Sequence, residues 1–493
     1  MCGICSIWGS NDKRELLEQM KSSLVHRGPD SEGTFQTKNG LLGHQRLGIV
    51  DIDNGMQPIY NEDRTLAIVA NGEIYNHEKL RHDLSYNQTF QTKSDSETIL
   101  HLYEEKGLET PRFLDGMYAF CIADENDIFI ARDALGIKPL YYLKSDDDVL
   151  YVSSEIKSLK QIDGKVLEFP PGSWYHSRYG FKNYDKINHD SYHAQPVNEI
   201  SSALKTLLEA SVQKRLIGEV SMGILLSGDL DSSIITSIAT KYSKNILHTF
   251  SVGFEDSEDL ENARYIADKL GTKHHEYLLT EKEIADELPQ IIFHLESFDQ
   301  DLVRCAISNY FACKMASKFV KIVLSGEGAD ELFAGYDYHL NLNREQELTR
   351  EVIRSISNLH NINLQRVDRM TMAHSIEGRV PFLDMDMVKF SVKIPPCLLI
   401  SGNPATQKWI LRKAFEHELP REIVWRKKKQ FAEGSGITKR INSIVSNYED
   451  SSCDRTHKDI FLRSREERLY YKLFSENFSD RKDVIDLVGR WKN

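Results

Sequence analysis

The chain reads as an α+β unit followed by an α/β unit. Its N-terminal half is built mainly on antiparallel strands, and its C-terminal half alternates strands and helices into a doubly wound parallel sheet. Three observations predict this. Short apolar runs at 65–70, 118–123, 127–131 and 150–152 read as strands, and two of them flank Asp124-Glu125-Asn126, a hairpin turn. Apolar strands at 246–254, 275–279 and 320–324 alternate with helical patterns such as 260–270. Between the halves, 184–196 is polar and aperiodic, which places a linker there and domains at 2–185 and 196–493.

Composition bounds the function classes. Hydrophobic residues are 40% of the 493 and charged residues 28%, the balance of a soluble globular protein. A net charge of −12 opposes nucleic acid or an anionic membrane as partner. No apolar run approaches the roughly 18 residues of a membrane span, and no secretory signal is visible. Seven scattered cysteines suggest reduced thiols and a cytoplasmic setting.

The chain opens Met1-Cys2-Gly3-Ile4-Cys5. If Met1 is removed, the Cys2 thiol lies beside its own α-amine, whose pKa of about 7.7–8.0 suits a general base. A buried apolar cysteine, or a Cys-x-x-Cys pair with Cys5, are the bland alternatives at this point, though no second Cys-x-x-Cys completes a zinc site. Leu16, Leu17, Met20 and Leu24 share a helical face. His26-Arg27-Gly28-Pro29-Asp30, Gly43 through Asp51, Ala70-Asn71-Gly72-Glu73-Ile74-Tyr75-Asn76 and Ser94-Asp95-Ser96-Glu97 follow, with Asp95 expected to cap a helix.

Together these segments resemble the glutaminase domain of the N-terminal-nucleophile glutamine amidotransferases. The resemblance implies an antiparallel αββα sandwich, with Cys2 attacking the glutamine amide. It implies that Asn71 and the Gly72 N–H stabilise the oxyanion. Arg46 would pair with the substrate carboxylate beside Leu47, Gly48, Ile49 and Val50, and Glu73 and Asp95 would hold its α-amine. Ala131-Arg132-Asp133 and 136–142 read as structural, near the passage between the halves.

The C-terminal half centres on Gly223-Ile224-Leu225-Leu226-Ser227-Gly228-Asp229-Leu230-Asp231-Ser232-Ser233. A buried strand, a small-residue turn and a helix start are the layout that cradles phosphate, because free N–H groups and the positive helix end point at the anion, and also that of an ordinary strand-to-helix turn. The loop lacks a Walker A ending and resembles the Ser-Gly-Gly-x-Asp-Ser loop of the N-type ATP pyrophosphatases, with Asp229 in place of the second glycine. Farther on come Ser325-Gly326-Glu327-Gly328-Ala329-Asp330-Glu331, Glu377-Gly378-Arg379-Val380-Pro381-Phe382-Leu383-Asp384 and Trp425-Arg426-Lys427-Lys428-Lys429-Gln430-Phe431.

With the Cys2 domain, these motifs resemble the glutamine-hydrolysing asparagine synthetases over all but about the last 50 residues. The resemblance implies ATP and Mg²⁺ as cofactors, glutamine and aspartate as small-molecule partners, and β-aspartyl-AMP as intermediate; a homodimer stays open. Leu225, Val252, Ser325 and Gly326 would line the adenosine pocket. Ser227, Gly228, Asp231 and Ser232 would hold pyrophosphate, and Asp231 and Asp330 the metal. Glu327 would accept a proton near the aspartyl site, and Lys428 would neutralise phosphate charge. Lys408 and Arg412 are further candidates for phosphate.

Two departures qualify this. Asp229 puts a carboxylate into a polyanion loop, where it points outward, binds extra Mg²⁺ or weakens ATP binding. Asp301 and Leu302 stand near the acyl acceptor where some family members carry small hydroxylic residues. Three readings follow: an asparagine-forming ligase, an amidotransferase for another carboxylate, and a glutaminase or regulatory binder with an impaired second half. Residues 463–468 read as a solvated helix face.

Overall fold

The computed structural model describes all residues except 85–87, 190, 343, 430, 447, 449–459 and 491–493. Two six-stranded antiparallel sheets form the N-terminal half. The first runs Leu167–Glu168, Tyr141–Lys144, Leu150–Ser153, β1 (Cys2–Trp8), β2 (Gly40–Arg46), Ser31–Gln36. The second runs Gly180–Asn183, Ser173–His176, Ile128–Arg132, β4 (Gly116–Ala123), β3 (Ala67–Ile74), Ile59–Tyr60.

Strand periodicity builds the layers. Ile4 and Trp8 of β1 pack inward with Leu42, Val69, Ala119 and Ile130, between the sheets. Cys5 and Ile7 point the other way, onto Leu17 and Met20 of α1 (Arg14–Ser22). Ile68 and Phe120 of the second sheet pack outward on Ile99 and Leu100 of α2 (Asp95–Lys106). The result is the expected αββα order. It also removes the Cys-x-x-Cys alternative, since residues three apart on a strand face opposite sides.

The C-terminal half holds a five-stranded parallel sheet in the order β7 (Lys273–Leu278), β6 (His248–Gly253), β5 (Met222–Leu225), β8 (Ile322–Leu324), β9 (Glu377–Arg379). Strand order reverses between β5 and β8, so their carboxyl ends open the crevice in which such sheets bind ligands. Its helices include α3 (Val197–Lys214), α4 (Leu230–Tyr242), α5 (Glu258–Leu270), α6 (Glu281–Leu295), α7 (Gln300–Ala316), α8 (Asn363–Met372), α9 (Trp409–Phe415) and α10 (Arg465–Phe478). Among the described residues no helix is long and apolar enough to cross a membrane. Residues 184–196 form no helix or strand where described.

The halves meet through buried ions. Arg27, wholly buried, donates to Glu155 Oε1 at 2.6 Å and to Asp368 at 2.7 and 3.1 Å, while its Nε reaches the Cys2 carbonyl at 3.0 Å. Arg369 of α8 donates to Glu296 at 2.7 Å, and Lys157 lies 3.1 Å from the same carboxylate. Glu168, held by Arg132 at 2.9 Å, lies 2.6 Å from His360 across the junction. Apolar contact accompanies this seam, for Leu47, Met117, Leu135 and Ile137 join Ile322, Leu324, Val380 and Leu383 in one cluster.

Burial makes ionisation of Glu155, Glu168 and Asp368 costly, yet the adjoining cations outweigh it and hold all three below the usual carboxylate range, Glu168 at about 2. Depressed folded pKa values contribute stability that is complete above the unfolded values of about 4 and is lost as pH falls. Acid titration followed by tryptophan fluorescence should therefore show loosening below pH ~4, and Glu168→Gln should blunt it. Arg369→Ala, which removes one of the buried cations beside Glu296 and Glu155, should cost about 3–5 kcal/mol in urea unfolding, whereas breaking the exposed Lys282–Asp286 pair should leave the midpoint essentially unchanged.

Candidate active sites

Register sets the first site. Cys2 pairs directly with Arg46 across β1 and β2. The Arg46 guanidinium is fixed by the carbonyls of Ile52, Asp51 and Val50 at 2.8, 2.7 and 3.3 Å. In the intervening loop, the Leu47 N–H donates to the Met1 carbonyl at 3.0 Å and the Gly48 N–H to Asp30 at 2.9 Å. Leu47 and Ile49 are buried, and Val50 packs half-buried beside them. β3 of the facing sheet brings Asn71, whose Oδ1 accepts the Cys2 N–H at 3.0 Å. That bond fixes the amide's orientation and leaves Asn71 Nδ2 buried and unpartnered, a donor aimed at no protein group.

Gly72 has no room for a side chain, since a Cβ would lie 2.1 Å from the Met117 carbonyl on β4. Asp95 Oδ2 accepts the Ile74 N–H at 2.8 Å, and Ser94, not Asp95, caps α2. Glu73 is buried with Oε1 unpartnered. Burial, and then Asp95, push its carboxyl well up, while Arg379 opposes them.

The C-terminal half completes this pocket, which sequence reasoning missed. Arg379 of β9 donates to Glu73 Oε2 at 3.0 Å, and Glu377 of the same strand lies 3.1 Å from the Met1 α-ammonium. Both residues stand in a motif the sequence flagged, but nothing local says which domain they face. Burial pushes the Cys2 thiol up, with the terminal ammonium, the Leu47 N–H and Arg46 working the other way.

The second site opens at the switch between β5 and β8. A cavity of about 390 Å³ is walled by Leu225, Ser227, Asp231, Ser232, Val252, Ser325, Gly326, Glu327 and Lys428 among others, which unites every expected nucleotide residue except Gly228. Gly228 turns away at φ +76°, where a Cβ would meet the α5 backbone (Ala263 N) at 2.5 Å. Lys408 is buried with its Nζ 2.5 Å from Asp231 and 2.6 Å from Asp330, and Lys428 also pairs with Asp330. Asp231 Oδ1 stays buried and unpartnered, an acceptor set suited to a hard divalent cation. Burial raises the cost of Asp330's charge, yet Lys408 and Lys428 hold it far below its usual range. Burial raises Glu327, while Arg366, paired with it from α8, pulls it down. Arg366, Tyr336 and Asn363 share this wall without any sequence motif to announce them.

Several expectations need correction. Arg412 does not reach the cavity; it donates to the carbonyls of Gln407 at 2.8 Å, Val424, and Arg426 at 3.1 Å, bracing the strand of chain that carries Lys428. Gln430 lies outside the described residues. Leu302 is buried in the core rather than at the cavity, whereas Asp301 lines it. Residues 463–468 are not a solvated face: Glu466 and Glu467 are buried, Arg304 grips Glu466, and Arg463 reaches Asp299 at 2.7 Å and Asp301 at 3.1 Å. Asp229 is paired with Arg426, whose Nη1 lies 3.1 Å from its Oδ1. Burial raises the Asp229 carboxyl, against Lys428 and Arg426.

Comparison with known proteins agrees in both halves. A family described as "Glutamine amidotransferase domain" matches residues 1–173, and one described as "Asparagine synthase" matches 203–348 and 341–488. The chain is 37% identical to a "Probable asparagine synthetase [glutamine-hydrolyzing]" of Dictyostelium discoideum, covering 100% of this chain and 96% of that protein. A fission-yeast protein (Schizosaccharomyces pombe) of the same description matches at 37% over 100% and 96%. "Asparagine synthetase B [glutamine-hydrolyzing]" of Escherichia coli matches at 38% over 96% and 91%. The chain belongs to the glutamine-hydrolysing asparagine synthetase family.

Proposed function

We propose that this protein converts L-aspartate to L-asparagine in the cytosol, with glutamine as nitrogen donor and ATP as activator. Residues 2–185 would act as the glutaminase and 196–493 as the synthetase. The observation that carries this reading is a thiol pocket with an unpartnered amide donor, Asn71 Nδ2, built into the same seam as a phosphate-type loop.

In the first pocket Met1 must leave, because an acylated Cys2 nitrogen cannot serve as a base. The Cys2 sulfur then attacks the glutamine amide carbon, its proton passing through the freed α-amine to the departing ammonia. Asn71 Nδ2 and the Gly72 N–H take the oxyanion, while Arg46 holds the α-carboxylate and Glu73 and Asp95 the α-ammonium. Water releases glutamate from the thioester. Ammonia then crosses the apolar contact that includes Met117, Leu135, Ile137 and Val380, where no solvent protonates it.

In the second pocket Ser227 and Ser232 at the start of α4 cradle the phosphates. Asp231 and Asp330 would hold Mg²⁺, which supplies charge neutralisation on the phosphate oxygens. An aspartate β-carboxylate oxygen attacks the α-phosphorus and pyrophosphate leaves. Lys428 balances the developing charge. Ammonia adds to the acyl carbon, Glu327 accepts its proton, and AMP departs. Burial raises that carboxyl and so makes it a stronger proton acceptor. Asp301 in the cavity wall favours, as a second reading, a carboxylate acceptor other than aspartate.

Wild-type protein given Mg-ATP, aspartate and glutamine should release asparagine, AMP and pyrophosphate in equal amounts. Cys2→Ala should do so with ammonia alone. Glutamate without pyrophosphate under every acceptor tried would overturn the ligase reading. Glu327→Gln should lose about 10²–10⁴-fold in kcat for synthesis from either nitrogen source and keep glutaminase turnover, both read by product chromatography.

A further inference from the structure

Asp229 occupies the N-cap position of α4 with φ −82° and ψ 167°, so the backbone there asks for no glycine. Its side chain makes no capping bond, although aspartate is among the favoured caps. It meets Arg426 instead. Arg426 Nη1 donates to the Gly228 carbonyl at 3.1 Å, and the Asp229 Oδ1 lies 3.1 Å from the same nitrogen, off the hydrogen-bond direction. Arg426 Nη2 sits 3.6 Å from Asp259 and 3.9 Å from Glu258 at the start of α5.

The neighbours of Arg426 are gripped in the same way. Lys429 lies 2.6 Å from Glu258, and the Gly434 carbonyl accepts from Ser257 at 2.8 Å. Between these outward anchors Lys428 turns inward to Asp330, with Asp231 at 3.7 Å. The segment thus runs past the phosphate loop, with Arg426 and Lys429 held at the start of α5 and Lys428 turned to Asp330.

We propose that Asp229 is a positioning residue: through Arg426 it ties the Lys428 segment over the phosphate loop, and Arg426 in turn screens the Asp229 charge from the nucleotide. This rests on the ligase reading above and adds a fastening specific to the Asp229–Arg426 pair. The pair acts as a unit. Removing the arginine alone exposes a carboxylate to the phosphates; removing both charges does not. Removing Asp229 alone loosens the segment at Arg426, which keeps the Gly228 carbonyl, Asp259 and Glu258, and leaves the loop attractive to anions.

The test is a double-mutant cycle on the full chain, reading Mg-ATP dissociation constants by calorimetry and glutaminase turnover in parallel. Arg426→Gln should weaken Mg-ATP at least tenfold with Asp229 present and less than threefold in an Asp229→Gly or Asp229→Asn background. Arg426→Lys should recover most of the loss, and glutaminase turnover should be unchanged throughout. A loss of equal size in both backgrounds would overturn the proposal and leave Arg426 acting on the loop alone. The tether is read separately without nucleotide: trypsin cleavage mapped at Arg426–Lys429 should quicken at least fivefold in Asp229→Gly. An unchanged rate overturns it. Absence of Mg-ATP binding by the wild-type chain would overturn the ligase reading itself, and this proposal with it.

Discussion

The meeting of the two halves turns on the wholly buried guanidinium of Arg27. It binds the carbonyl of Cys2, the carboxylate of Glu155 in its own half and that of Asp368 in the other. Three ions of one half and three of the other (Arg27, Glu155 and Lys157 with Glu296, Asp368 and Arg369) neutralise one another away from water. Such a network contributes little net stability over an apolar seam, but it penalises any arrangement in which one member lacks its partner. It fixes how the halves meet, and a synthetase that hands a reactive molecule from one site to another depends on that fixed meeting.

Helix α8 shows how directly the sites are connected. Arg366 touches Glu327 in the second cavity, and Asp368 touches Arg27, which holds the Cys2 carbonyl. Strand β9 does the same from the other side. Its Arg379 reaches Glu73, while its carbonyl accepts the Ser325 N–H at 2.9 Å at the head of the Glu327 loop. Each connection runs through no more than three consecutive residues of one element, so the two sites share α8 and β9 as common supports.

The layers, the parallel sheet and the phosphate loop were legible in the sequence because they depend on local patterns, while Val252, Ser325, Glu327 and Lys428 were reached only through family resemblance. Ile4 and Trp8 alternate with Cys5 and Ile7, and a strand followed by Ser227 and a helix start is a local phosphate signal. What stayed illegible is what distant segments supply. Arg366 and Asn363 sit on a helix whose sequence carries no motif, and Arg379 closes a pocket built some 300 residues earlier. Charge-rich surface reading failed at Glu466 and Glu467 for the same reason, since only packing on α6 and α7 reveals them as buried. The effect of Asp229 was undecidable until Arg426, from far along the chain, stood next to it.

Met1 carries one more consequence. It is 2% exposed, and its ammonium rests on Glu377, 376 residues away. Once the C-terminal half has folded against it, no peptidase can reach the bond to Cys2. On the proposed mechanism, removal of Met1 must therefore precede the closing of the two halves over it.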